Sequence, residues 1–107
     1  MKVAYIAGPY RAETKEGIGE NIKRAADVAL KYWKQGYAVI CPHKNTAFFE
    51  GCEDSVWLEG DREIISRLVP EKGDIVIAME GWRDSLGAVV EVALAKNLGL
   101  EVVFDKK

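Results

Sequence analysis

The chain has 107 residues, 49% of them apolar, with a formal net charge of −2. That length and apolar share support one domain, 1–107, with a packed core, and argue against disorder. The charge balance gives no electrostatic case for binding nucleic acid or anionic membrane, which would favour a basic face. No apolar run reaches the ~20 residues of a bilayer span, and the strand-like start KVAYIAG is unlike a secretory signal, so a soluble cytoplasmic protein is expected.

In chain order, the first apolar run is VAYIA, Val3–Ala7. Three more follow: YAVIC (Tyr37–Cys41), DIVIAM (Asp74–Met79) and LEVVF (Leu100–Phe104). They are rich in Val and Ile and mostly unbroken, as strands buried on both faces of a parallel sheet read. The intervening segments have helical spacing. Ile22, Ala25, Ala29, Tyr32 and Trp33 predict a first helix ended by Gly36. Asp54 or Ser55 caps a second, which runs to about Leu68 before Pro70. Ser85 caps a third, ending near Gly99.

The order β-α-β-α-β-α-β with right-handed crossovers predicts a three-layer α/β/α sandwich. Its four-stranded parallel sheet has the expected order 2-1-3-4, a flavodoxin- or Rossmann-like arrangement. The switch point lies between the first and third strands, where ligands bind beyond the carboxyl ends. Gly8–Gly19 and Glu80–Ser85 are the loops that meet there.

Two carboxylates sit on apolar stripes. Glu91 is the one charged residue in SLGAVVEVALA, flanked by Val89, Val90, Val92 and Ala93. Asp61 falls on the stripe of Trp57, Ile64, Ile65 and Leu68. An ionised carboxylate is costly to bury unless paired, so such a pair is a candidate for chemistry. Rim carboxylates bonded to backbone amides are the plainer alternative.

Other candidates gather around these two. Ser85 is a plain N-cap or an anion site at a helix start, and Gly87 lets a ligand approach the first turn. Gly8 and Pro9 turn the chain sharply, and Arg11 can reach an anion at Ser85. His43 and Asn45 follow the second strand, and Trp82 can stack on a base. Gly17 and Gly19 lie too far from the strand for a dinucleotide fingerprint, and no phosphate loop is present. Cys41, His43 and Cys52 match no standard zinc spacing; neither metal nor cofactor is expected.

The segments YIAGPYRA, GDREII and DIVIAMEGWRDSLGAVVEVALA resemble the nucleoside 2-deoxyribosyltransferase superfamily, which includes 2′-deoxynucleoside 5′-monophosphate N-glycosidases. The likeness covers nearly the whole chain. PHKNTAFF and GW are most like a branch of small phage and bacterial relatives. The resemblance implies a retaining mechanism with Glu91 as nucleophile toward the anomeric carbon. It implies Asp61 as the group contacting sugar or base and moving the leaving-group proton, and Tyr5 as the orienting hydrogen-bond donor. It gives Gly8 and Arg11 the sugar's 5′ end.

Serine at position 85, where free-nucleoside transferases carry aspartate, leans toward a 5′-monophosphate, although Asp84 stands next to it. The implied partners are a nucleoside or nucleotide and a second copy in a homodimer. Ala26, Ala29, Tyr32 and Trp33, or Val89, Ala93 and Leu94, would supply the dimer surface. The fifth strand and tail of many relatives are missing here. A non-catalytic nucleotide-binding or sensing module on the same fold is the alternative. A phosphoribohydrolase of the lysine-decarboxylase-like family is disfavoured by the missing PGGxGTxxE signature.

Overall fold

A computed structural model of the chain describes residues 1–106. Four strands, β1 (Val3–Ala7), β2 (Ala38–Ile40), β3 (Ile75–Met79) and β4 (Glu101–Asp105), form one sheet. All pairings are parallel and the order is β2-β1-β3-β4, as the sequence predicts. The helices are α1 (Lys15–Lys34), α2 (Pro42–Asn45), α3 (Asp54–Ser66) and α4 (Leu86–Asn97), with 3₁₀ turns at Pro70–Lys72 and Trp82–Asp84. No helix among the described residues is long and apolar enough to cross a membrane.

Strand residues alternate between two cores, because successive side chains point to opposite faces. Tyr5, Ala7, Val76 and Ala78 face Ile65 and Leu68 after the chain crosses in α3, and Ala88, Val92 and Ala95 of α4. Ala4, Ile6, Ile75, Ile77 and Met79 face Ala25, Ala29 and Tyr32 of α1. Thus α1 covers one face alone, and α3 and α4 share the other. Trp33 departs from its expected place on the first helix's inner stripe and is 52% exposed. One residue past Tyr32, it is rotated about 100° out of the core.

Three strands, β2, β3 and β4, start one residue later than their apolar runs, and at β2 and β4 a helix ending takes that first residue. The Tyr37 amide donates to Tyr32 O, and that of Gly36 to Trp33 O. The Leu100 amide likewise donates to Ala95 O, and that of Gly99 to Lys96 O. Each set is a Schellman closure with its glycine at positive φ, 95° at Gly36 and 79° at Gly99. Tyr37 and Leu100 therefore finish helices rather than begin strands.

The second predicted helix is also displaced. Glu53 occupies the N-cap position without a side-chain cap, and Asp54 is already inside α3. The Asp54 carboxylate instead pairs with Arg11. The helix stops at Ser66, and Leu68 belongs to the following turn. The short α2 was not expected from the periodicity. Its Pro42 supplies the fixed φ that suits a first helical position.

Candidate active site between two helices and the first strand

Glu91 lies on the inner face of α4, one turn from Ala88 and one from Ala95, and is only 8% exposed. Beneath it, fully buried Tyr5 on β1 donates from Oη to Glu91 Oε2 at 2.6 Å. Asp61 is half-buried on α3, the helix packed beside α4, and its charge acts on both Tyr5 and Glu91. The expected convergence of Glu91, Asp61 and Tyr5 thus follows from α3 and α4 sharing one face of the sheet.

Burial pushes the Glu91 carboxyl up to about 7; the Tyr5 hydrogen bond opposes this and the nearby Asp61 charge adds to it. Burial also raises Asp61, to about 6. Tyr5 is driven far above its ordinary range, by burial first and then by the Glu91 charge. It therefore stays a neutral donor. His43 Nδ1 is the one fully buried side-chain polar atom lacking a hydrogen bond among the described residues. Among the described residues, Glu91 Oε1 and both Asp61 oxygens accept none and none of the three is a fully buried unpartnered atom, so each keeps some contact with solvent. A proton acceptor open on one side and oriented on the other is what a nucleophile or general base requires.

The surrounding loops are braced by residues of three kinds. Ser85 is the N-cap of α4, accepting from the Ala88 amide at 3.3 Å. This is the plainer of its two predicted roles, and the long bond leaves the hydroxyl weakly held. The missing side chain of Gly87 has a packing reason: a Cβ there would lie 3.2 Å from Leu58 Cδ2 on α3. Gly8 likewise allows contact, since a Cβ would meet Met79 Sδ at 2.5 Å. Pro9 packs beside Gly81, whose added Cβ would lie 3.5 Å from the proline Cγ.

His43 is buried, and its Nε2 bridges Gly8 O at 3.1 Å and Pro9 O at 3.0 Å. Two carbonyl acceptors require the proton on Nε2, and burial holds the ring below its ordinary pKa, hence neutral. His43 therefore positions the first loop from behind. The Arg11 guanidinium is engaged with Asp54 rather than turned to Ser85. Asn45 is exposed and lines a separate groove with Ala26, Leu30 and Trp33. Trp82, partly buried, packs against Phe104, ring centroids 5.7 Å apart, with Arg83 over its ring.

Three bracing residues escaped the sequence reading. Arg24 of α1 donates from Nη2 to Glu80 O at 2.8 Å and from Nη1 to Asn21 Oδ1 at 3.4 Å. Asn21 Nδ2 donates to Tyr10 O at 3.1 Å and Arg11 O at 3.3 Å. Tyr10 Oη accepts from the Phe48 amide at 2.9 Å. Together they tie the loops after β1, β2 and β3 at the switch point. Polar residues one turn apart on a helix look like any wet face, so no pattern in the sequence marks them. Among the described residues, no three His, Cys, Asp or Glu side chains gather as a metal site would require.

Among curated proteins, none matches the chain. Residues 1–104 match a family described as a domain of unknown function, DUF4406, a description that names no activity. The match spans β1, β2, β3, all but the last residue of β4 and every residue of the site, and the chain belongs to the DUF4406 family.

Proposed function

We propose that the chain cleaves the N-glycosidic bond of 2′-deoxynucleosides or their 5′-monophosphates, by hydrolysis or base exchange, as its likeness to the nucleoside 2-deoxyribosyltransferase superfamily suggests. The observation that carries this reading is the Tyr5–Glu91 hydrogen bond, which steadies one carboxylate oxygen while the other stays open. Glu91 Oε1 attacks the anomeric carbon. The C–N bond breaks, its electron pair leaves with the base, and Asp61 supplies the base's proton. The resulting glycosyl ester of Glu91 is resolved when Asp61, now ionised, takes a proton from water or from an incoming base that attacks the same carbon. Two carboxylates sharing acid and nucleophile roles is the logic of retaining glycosidases.

The two environments bear on those roles differently: Glu91, raised to about 7, must lose its proton before it can attack. An Asp61 carboxyl raised to about 6 holds a proton for donation more readily than an ordinary aspartate. A 5′-phosphate would sit at the start of α4, beside Ser85 and Gly87, where free amides favour an anion. The Arg11–Asp54 pair is exposed on both sides, and such pairs are weak enough to be exchanged for a phosphate contact.

Incubating the protein with each deoxynucleoside and deoxynucleoside monophosphate, followed by chromatography for free base, tests the reading. Base release that vanishes in Glu91→Ala supports it, and release that persists there overturns the nucleophile. A second base added to the reaction separates exchange from hydrolysis. Ligand-dependent thermal stabilisation without any release would favour the binding module instead.

A further inference from the structure

Helices α3 and α4 each return from the carboxyl end of one parallel strand to the start of the next, so they run side by side in the same direction. Leu58 of α3 fixes their register, since a Cβ added at Gly87 of α4 would lie 3.2 Å from its Cδ2. One turn further, four residues on in each helix, stand Arg62 and Glu91. Residues four apart share a helix face, and both helices rise equally per turn. Arg62 therefore comes alongside Glu91, and its charge acts on the Glu91 carboxyl against burial. The other arginines are engaged: Arg11 with Asp54, Arg67 with Glu63, Arg24 with Glu80 O, and Arg83 over Trp82. Arg62 is exposed and, among the described residues, makes no hydrogen bond, ion pair or ring contact.

We propose that Arg62 is a positioning residue for Glu91: from its place one turn beyond Leu58, its free guanidinium holds the neighbouring carboxylate in the charged form that attacks. The groups that face Glu91 are few. Tyr5 of β1 donates to one oxygen, and Asp61 of α3 adds a like charge. β3 offers only Val76 and Ala78 to this face, and α4 itself Ala88, Val92 and Ala95. Arg62 is thus the one cation set against Asp61 and burial. A bonded ion pair would cover the carboxylate and occupy its second oxygen. A guanidinium close enough to act but not bonded favours the ionised form and leaves Oε1 open. The catalytic half of this inference rests on the glycosidic reading above; the hold of Arg62 on Glu91 does not.

Carboxyl-carbon NMR of Glu91 in the intact chain tests that hold without turnover. Arg62→Ala raises the midpoint of the Glu91 titration, Arg62→Glu raises it further, and Arg62→Lys restores it. Arg67→Ala, on the same helix but paired with Glu63, leaves it in place. Both arginines are exposed, and circular dichroism confirms that the variants fold. A midpoint unmoved by Arg62→Ala and Arg62→Glu overturns the proposal, as does an equal response to Arg67→Ala or a lysine that behaves like alanine. In the base-release assay, kcat/KM of Arg62→Ala falls about threefold near pH 6, as a screened charge at the rim allows, and matches wild type near pH 9. A loss of the same size at both pH values overturns the positioning role. If the wild type releases no base, the glycosidic reading falls and the titration alone decides the role of Arg62.

Discussion

Tyr5 and Glu91 are 86 positions apart in sequence, yet their side chains meet at 2.6 Å inside the protein. The contact joins the middle of β1 to the inner face of α4. Its direction is fixed, because Tyr5 stays protonated and can only donate to the carboxylate. The bond favours ionised Glu91 and opposes the cost of burying it.

Tyr5→Phe removes that support. Glu91 then titrates above its present value of about 7, and the acidic limb of any base-release pH profile moves upward. Stability at neutral pH falls by roughly 1–2 kcal/mol for the lost bond. Carboxyl-carbon NMR on Glu91 reads the titration directly. An unchanged or lower value in Tyr5→Phe would show that the bond does not govern the carboxylate.

Stability itself should depend on pH through the same pair. Glu91 is raised from 4.5 to about 7, and Asp61 from 3.8 to about 6. Between the unfolded and folded values, the folded chain holds protons that the unfolded chain has released. Stability from these groups is therefore full at acid pH and declines as pH rises from about 4 through about 7. Glu91→Gln removes the larger share, on the order of 3 kcal/mol at pH above about 8. Calorimetry should find Glu91→Gln more thermostable than wild type there, with a flatter profile that retains only the Asp61 slope. A wild type that gains stability over this interval through these groups contradicts the assignment.

The fold and the acid pair were legible in the sequence because each rests on a strong local rule. Unbroken Val/Ile runs mark strands buried on both faces, and a lone carboxylate on an apolar stripe stands out, as Glu91 and Asp61 do. Less legible was what a polar side chain does once the chain has turned. His43 and Arg11 read as ligand contacts because they lie in the right loops. Their partners, Gly8 and Pro9 in one case and Asp54 in the other, are distant in sequence. Gly87 has a packing reason that no local pattern shows: its missing side chain serves the approach of Leu58. Strand starts slipped because Schellman closures at Gly36 and Gly99 claimed the amides of Tyr37 and Leu100.

The bracing role of His43 separates it sharply from its neighbour. His43→Ala strips the donor from two carbonyls and leaves a cavity, at a cost of roughly 2–4 kcal/mol. Asn45→Ala, at an exposed position, should stay within about 0.5 kcal/mol of wild type. Denaturant melts measure the difference. Equal effects from both would remove the distinction between positioning and surface residues.

Glycines in different surroundings should respond in opposite directions. Gly8→Ala forces a Cβ to 2.5 Å from Met79 Sδ and 2.9 Å from Met79 Cβ. The second contact is not relieved by turning the methionine, so a loss of roughly 1–3 kcal/mol is expected. Gly19→Ala, inside α1 with nothing near its added Cβ, should gain roughly 0.5–1 kcal/mol by restricting the unfolded chain. Thermal melts of the two variants check both signs.

Ser85→Asp isolates the phosphate question from the fold. Aspartate caps a helix as well as serine does, and a negative charge at a helix start is itself favourable, so the melting temperature should hold or rise slightly. The same charge would stand where a substrate's 5′-phosphate is proposed to bind. Its repulsion acts on the monophosphate and not on the free nucleoside. The ratio of kcat/KM for monophosphate over nucleoside should therefore fall by about tenfold or more, corresponding to roughly 1.4 kcal/mol of lost discrimination. If both substrates weaken equally, Ser85 lies near the sugar or serves only as a cap. If neither changes, the phosphate binds away from the start of α4, and Arg11 on the β1 loop becomes the next position to substitute.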